Sequence, residues 1–442
     1  MNARGKGHTI NRYVSILVLT GLISLLVGVL VTTYPFESTR LPSNAGNSVS
    51  AAQPVATSSI EQGDVKAGPP LTATSAKPAK WTFMVYIAAD DSTLEEAAIG
   101  DFLEMASVGS NDNLNIVVQL DRIPGDDKAY GDWTDCRRFL VTEGLTPADG
   151  NEIMNIGEVN MGDPATLVGF VEWAASNYPA EKYALIISSH GKGWSGCCWD
   201  ETSDDDNMDL AEMRSALSGI SAFIGRPLDV IGFDACLMGT TEVAYEVHDY
   251  TSVMVASEQP EPLSGWPYDA IFTQLTATPD INAAELATTI VDSYYIAHAP
   301  TGYTMTAVDL TKIDAVVNSL SDLSQALVVY AGTDTQTIKE YANIVFTALD
   351  EAVIYERHGT SWPGSHGLAI YFPEAQEEFD ATYNAGAVSL ADDTAWEEFL
   401  IGYFTYAGDE WITTARSETQ QNYSEEHVDL YDFCQNLIDS EP

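Results

Sequence analysis

The sequence predicts an α/β protein: a mostly parallel sheet flanked by helices on both faces, with a helical C-terminal extension. Three observations lead there. Short apolar runs alternate with stretches whose apolar residues recur at helical spacing. The strand-like runs are apolar at nearly every position, as strands covered on both sides must be. A chain of 442 residues, 45% hydrophobic, is long enough to bury a large core.

The elements follow in order from Trp81. "WTFMVYIAA" reads as a buried strand, with Asp90, Asp91 and Ser92 as cap candidates for the helix "TLEEAAIGDFLEMA". "LNIVVQL" is a second strand, "ATLVGFVEWAASNY" a helix and "YALIISS" a third strand. After an acidic loop come the helix "LAEMRSALSGISAF", the strand "LDVIGF", the helix "TTEVAYEVHDY" and the strand "SVMVAS". The Pro-Gly-rich "EQPEPLSGWPYD" interrupts the alternation. Beyond it, "NAAELATTIVDSYYIAH", "DAVVNSLSDLSQALVVY" and "TIKEYANIVFTALDEAVIY" are predicted helices, and "YTMTAVDL" and "GLAIYF" predicted strands. No internal repeat and no coiled-coil heptad is present.

The first 80 residues are predicted to lie outside the fold. Residues 1–36 hold a basic stub with Arg4, Lys6 and Arg12, then the uncharged run Tyr13 to Tyr34, long enough for a bilayer's hydrocarbon core. "VTTYPFESTR" makes a poor signal-cleavage site, which favours an uncleaved anchor over a cleaved signal; either way the remainder is exported. Residues 37–80, rich in Ser, Ala, Thr, Pro and Gly, read as a flexible tether or pro-segment. Residues 81–406 form the folded domain and 407–442 a tail. Lys77 and Lys80 are the expected points of self-release from the membrane.

Charge excludes some partners. Asp plus Glu number 65 against 19 Lys plus Arg, a formal net charge of −46. Such a surface repels nucleic-acid phosphates and anionic lipid, and attracts basic peptides.

In an open parallel sheet, ligands bind beyond the carboxyl ends of the strands. "ALIISSHG" ends in His190 and Gly191, and "DVIGFDAC" ends in Asp234 and Cys236. A lone cysteine is ordinarily a small core residue and a lone histidine a satisfied structural one. Their joint position on one sheet edge, each followed by a turn, makes them a nucleophile and its proton carrier. The N–H groups of Gly191 and Cys236 are the candidate oxyanion donors. The other histidines fit worse: His366 precedes its strand, His358 lies in a loop, and His248 and His298 lie near helix ends.

The ordered blocks "WTFMVYIAADD", "YALIISSHGKGWSG", "DVIGFDACLMGTTEVAYEV", "VMVASEQPEPLSGWPYD" and "GLAIYFPE" resemble the clostripain-type cysteine peptidases, relatives of caspases, legumains and gingipains. The resemblance covers roughly Trp81 to Tyr406. It implies a caspase-like fold, a dyad falling on Cys236 and His190, and an endopeptidase that cleaves after Arg or Lys. It also implies that Asp234 forms the floor of the pocket for that basic side chain. The chemistry agrees, because a carboxylate is the bidentate partner of a guanidinium. The competing role for Asp234 is to cap the next helix or to hold a backbone amide. Glu258 and Trp266 are candidate subsite walls, if the peptide lies against "SVMVAS" as an added strand. They serve equally well as loop packing.

Some relatives are cut between the histidine and the cysteine, but Lys192, Arg214 and Arg226 are poorly placed for that. Some relatives need calcium, and "WDETSDDDNMD" offers Asp204, Asp205, Asp206 and Asp209 as candidate ligands, though it fits no EF-hand spacing. No other cofactor is implied. Of five cysteines, an odd number suits a free Cys236, and Cys136 is a candidate disulfide partner for Cys197 or Cys198, with Cys434 unassigned. The rival to an enzyme is a catalytically inactive, surface-anchored protein that binds basic peptides in the same acidic cleft.

Overall fold

The computed structural model describes residues 77–125, 127–298, 302–384, 386, 388–405, 410–420 and 426–440. The apolar run Tyr13 to Tyr34 and most of the tether lie outside the described residues. No helix among those described is long and apolar enough to cross a membrane.

The chain opens with β1 (Ala79–Ala89), α1 (Glu95–Val108), β2 (Leu114–Arg122), β3 (Cys136–Leu140) and β4 (Met154–Gly157). Next come α2 (Pro164–Asn177), β5 (Ala180–Ser188), β6 (Cys197–Asp200), β7 (Asp206–Met208), α3 (Leu210–Ile224) and β8 (Leu228–Asp234). They lead into α4 (Thr241–Val247), β9 (Thr251–Ala256), α5 (Tyr268–Ala277), α6 (Ala283–His298) and β10 (Thr304–Asp309). After these the chain forms α7 (Ile313–Tyr330), α8 (Thr335–Ala352), β11 (Val353–His358) and β12 (Ala369–Tyr371). It closes with α9 (Ser389–Asp393), α10 (Trp396–Thr405), α11 (Glu410–Gln420), β13 (His427–Asp429) and α12 (Leu430–Asp439).

Among the described residues the main sheet has nine strands in the order β11-β10-β9-β8-β5-β1-β2-β3-β4. Its centre, β9-β8-β5-β1-β2, is parallel, and the flanking strands are antiparallel. The expected α/β architecture is therefore present, and β1 shows why its sequence is apolar throughout. Met84, Tyr86 and Ala88 face one core with α2, α3, α4, α7 and α8, while Phe83, Val85 and Ile87 face a second core with α1, α5 and α6. Burial on both faces replaces polar alternation with continuous hydrophobicity. Local signals set the helix ends: Asp163 caps α2 with Pro164 at its first position, and Asp209 and Glu212 form a capping box on α3.

From β1 the chain runs outward to β2 on one side, then returns to place β5 on the other side of β1. The carboxyl ends of β1 and β5 thus splay apart at a topological switch point, where such sheets open a crevice.

Several expectations need correction. The helix read through Tyr355 stops at Ala352, and Val353–His358 forms the edge strand β11, antiparallel to β10. "GLAIYF" supplies β12, which pairs with β13 outside the main sheet. The C-terminal tail packs on the domain as a helix, with Phe433, Cys434 and Leu437 of α12 fully buried in the larger core. The tether ends two residues sooner than expected, at Ala79. Lys80 lies within β1, with its ammonium 3.0 Å from Glu181 and 2.7 Å from Asp280. That pairing makes it a poor cleavage point; Lys77 stays exposed. Strands β3 and β4, at one side of the sheet, and the β6–β7 hairpin carried no clear apolar run and were not foreseen. All five cysteines are free, so the candidate disulfide is not formed.

Candidate active site

Ser188 on β5 stands opposite Asp234 on β8 in the parallel register. His190 and Cys236 each lie two residues past that pair, so the imidazole and the thiol leave adjacent strands at the same height. Both line one cavity of about 90 Å³ at the switch point, together with the end of β1, Asp101 on α1, Asp234 and Glu261. No Lys or Arg is among its lining residues.

Glycine is required where the two loops meet. A Cβ on Gly191 would stand 2.4 Å from the Cys236 carbonyl oxygen, so any side chain there would push the histidine loop from the cysteine. After Cys236 the backbone turns sharply, with Leu237 at φ 62°, a strained conformation for a branched residue. The Leu237 amide donates to Gln259 O (3.3 Å), and that of Lys192 to Gly196 O (3.0 Å). Those bonds take the amide after each candidate oxyanion donor, and Gly191 forms an antiparallel bridge with Cys197.

The imidazole is held from one side. His190 Nε2 lies 3.0 Å from Thr93 Oγ1 and 3.3 Å from Asp91 Oδ1. The Thr93 hydroxyl donates to Asp91 Oδ1 at 2.5 Å, so its oxygen accepts from Nε2–H. Nδ1 is the nitrogen left for chemistry. Burial pushes the Asp91 carboxyl up, but the Thr93 hydrogen bonds and the imidazole outweigh it and hold it below its usual value. Asp91 does not cap α1: Leu94 occupies that position, without a side-chain cap.

The thiol is half-buried. Cys236 Sγ accepts from the Glu261 amide at 3.2 Å, and burial pushes the thiol up, opposed by that bond and reinforced by Asp234. Asp234 is 6% exposed and accepts from Tyr268 Oη (2.8 Å) and the Trp266 amide (3.3 Å). Burial pushes its carboxyl up to about 6 against those bonds. Asp234 does not cap a helix, since α4 begins at Thr241 under the Thr240 hydroxyl. Glu261 is pushed well above the usual range by burial and then by Asp234. Asp101 is raised the same way, by burial first and Asp234 second. Three carboxylates thus crowd one hollow that no Lys or Arg lines among the described residues.

The two subsite-wall candidates lie elsewhere. The Trp266 ring is fully buried against Gly232, and it supports Asp234 only through its backbone amide. Glu258 is 1% exposed and accepts from Ser365 Oγ at 2.6 Å, tying the loop before β12. Neither lines the cavity. His366 stacks on Tyr431 and is likewise remote from it.

The four proposed calcium ligands are not brought together. Asp204 and Asp205 sit in left-handed backbone at the tip of the β6–β7 hairpin. Asp206 accepts from Asn160 Nδ2, and Asp209 caps α3 through the Glu212 amide. The group that does converge is Asp90, Glu158 and Asp200, whose oxygens all lie within 4.8 Å of one another.

Sequence reasoning missed Thr93, Asp101 and Glu261. Asp101 carried a signal, a carboxylate on the apolar face of α1 between Ala98 and Met105. Glu261 carried none, because nothing in a Pro-rich loop marks which carboxylate will turn inward.

The sheet is an α/β architecture with a crevice at its switch point, lined by a thiol, an imidazole and carboxylates. The clostripain family model matches residues 85–441, and the chain belongs to that family. Clostripain of Hathewaya histolytica is 34% identical over 228 residues, covering 46% of this chain and 43% of clostripain. The chain thus matches less than half the length of that relative. Among solved structures, a secreted C11 cysteine protease of Bacteroides thetaiotaomicron, bound to an irreversible peptide inhibitor, is similar. It has a TM-score of 0.54 and 20% identity, over 72% of this chain and all of that one. An inactive zymogen C11 protease of Parabacteroides distasonis gives 0.51 and 19%, over 73% of this chain and 99% of its own. These two likenesses establish the fold.

Proposed function

We propose that this protein is an endopeptidase that acts outside the cytoplasm and cuts polypeptides after Arg or Lys, with Cys236 as nucleophile and His190 as its proton carrier. The observation that carries this reading is the shared cavity, lined by the thiol and the imidazole together with Asp234, Glu261 and Asp101 and by no Lys or Arg. Clostripain resemblance and the apolar run near the N-terminus support substrate class and location.

The basic side chain of the substrate enters the hollow and satisfies Asp234, which a guanidinium meets with two hydrogen bonds. Its charge also removes a cause of the raised thiol, because Asp234 is one of the groups that oppose thiolate formation. Substrate binding thereby favours the attacking form. His190, its Nε2 held by Thr93, takes the thiol proton on Nδ1, and the sulfur attacks the carbonyl carbon. The Gly191 and Cys236 amides receive the oxyanion. His190 returns the proton to the leaving amine as the C–N bond breaks. Water, deprotonated by the same imidazole, then hydrolyses the thioester and restores the thiol.

A fluorogenic Arg-peptide assay on the full chain, with Cys236→Ala beside it, tests the reading. Turnover lost in the variant is expected. No turnover by the intact protein, with reductant and calcium present, would favour a silent binder of basic peptides.

A further inference from the structure

Six serines are buried among the described residues: Ser189, Ser257, Ser293, Ser319, Ser324 and Ser365. Five of them have a partner for the hydroxyl. Ser257 Oγ donates to Gln259 O (2.9 Å), Ser319 Oγ to Val316 O (2.8 Å), Ser324 Oγ to Leu320 O (2.7 Å) and Ser365 Oγ to Glu258 Oε2 (2.6 Å). Ser293 Oγ accepts from Gln274 Nε2 at 2.9 Å. Ser189 is the exception: it is 7% exposed, and its Oγ has no partner. A buried hydroxyl that makes no bond is unfavourable for the fold, so its presence calls for another reason.

The exception lies in the candidate active site. Ser189 lines the cavity that also holds His190, Cys236, Asp234, Glu261 and Asp101. Its backbone is pinned there, since its amide donates to Asp234 O at 3.3 Å. Ser188 stands opposite Asp234 in the β5–β8 register, and His190 lies two residues further on. One strand residue advances about 3.3 Å, so Ser189 sits between the level of the floor acid and that of the dyad. The end of β1 and the first turns of α1 add apolar walls, with Ile87, Leu94 and Ala97.

The two basic side chains make different demands on such a hollow. Arginine ends in a planar fork that meets one carboxylate with two parallel hydrogen bonds. Lysine ends in a compact, strongly hydrated ammonium whose three donors spread around a single atom. Its nitrogen also stops nearer its own backbone than the far edge of a guanidinium does. A floor carboxylate alone cannot receive all three donors. A neutral acceptor one step closer to the scissile bond can take one of them, and a serine hydroxyl has two lone pairs for the purpose.

We propose that the Ser189 hydroxyl accepts a hydrogen bond from a lysine ammonium seated over Asp234, and so sets how well this hollow takes Lys relative to Arg. The inference rests on the peptidase reading above and adds a specificity-determining residue to it. No group of the chain itself uses this hydroxyl among the described residues, which leaves it to the substrate. A guanidinium already paired with Asp234 has less need of it.

The test compares matched fluorogenic peptides with Arg or Lys before the scissile bond, on the full chain and on Ser189→Ala. The substitution should lower kcat/KM for the Lys peptide about tenfold, chiefly through KM, and leave the Arg peptide within about twofold. Calorimetric binding of both peptides to Cys236→Ala, with and without Ser189→Ala, reads the same ratio without turnover. Thermal unfolding verifies that Ser189→Ala is folded. Equal losses for the two peptides, or an unchanged Lys-to-Arg ratio, overturn the proposal. A native chain that cleaves the Arg peptide but neither cleaves nor binds the Lys peptide overturns it as well. Failure to cleave either peptide counts against the peptidase reading instead, and the binding ratio then still decides the role of Ser189.

Discussion

Two groups of buried acids in this protein face opposite ways of being satisfied. Glu95 is matched from inside: the fully buried Arg122 donates to it at 2.6 Å, and the guanidinium is completed by the carbonyls of Asp127 and Ala129. Asp234, Glu261 and Asp101 have no such cation; burial pushes all three carboxyls up, and Asp234 pushes those of Glu261 and Asp101 further. An internally paired acid needs nothing more and serves the structure. An acid left in surplus beside a cavity marks where a positive charge from outside is to be received. The difference also explains why so acidic a chain keeps a specific site: net charge says nothing about location, whereas unmatched burial does.

The largest test of that contrast falls on the chemistry. His190→Ala should lower kcat for an Arg peptide by about 10³-fold or more, with unfolding temperature little changed, measured by steady-state kinetics and calorimetry. Asp234→Asn comes next. It should cost about 10²- to 10³-fold in kcat/KM for Arg peptides, because the guanidinium loses its charged partner. The same change should raise the unfolding temperature, since it removes a charge the fold itself does not match. Glu95→Gln should do the reverse, lowering stability by about 3 kcal/mol by leaving Arg122 buried and unpaired.

The pH dependence follows from Asp234, whose carboxyl sits at about 6. Below that value it is protonated and neutral, so kcat/KM for Arg peptides should fall as pH drops through about 6. The stability contribution has the opposite sense. The folded chain holds this proton more tightly than the unfolded chain, so its share of stability declines as pH rises from about 4 to about 6. Asp234→Asn should flatten both profiles.

The smallest effect separates the two roles offered for Trp266. With its ring sealed in the core against Gly232, Trp266→Phe should cost about 1–2 kcal/mol in stability and leave KM within about twofold. A large change in KM with stability intact would return it to the substrate-binding surface.

Much of the central layer was legible. Continuous apolar runs named β1, β2, β5, β8 and β9, because burial on both faces is written directly into composition. The strand ends then indicated His190 and Cys236 by position. Features set by distant partners were not legible. β3, β4 and the β6–β7 hairpin are short and mixed in polarity; β3 and β4 extend the main sheet from β2, while β6 and β7 pair with each other. Val353–His358 continues the helical pattern of α8 and becomes a strand only because β10 offers an open edge. Asp204 to Asp206 looked like ligands as a local run, but hairpin geometry disperses them, while the three converging acids come from three separate segments. Sequence shows where charge is, and the fold decides which charges meet.

The central claim is that Cys236 attacks a peptide seated with its basic side chain over Asp234. An irreversible peptide chloromethyl ketone ending in arginine tests it directly, with the adduct located by peptide mass mapping. Labelling at Cys236, much faster than with a norleucine analogue and slowed to the analogue's rate in Asp234→Asn, is the predicted result. An adduct on Cys136, Cys197, Cys198 or Cys434, or equal rates for the arginine and norleucine reagents, would contradict it.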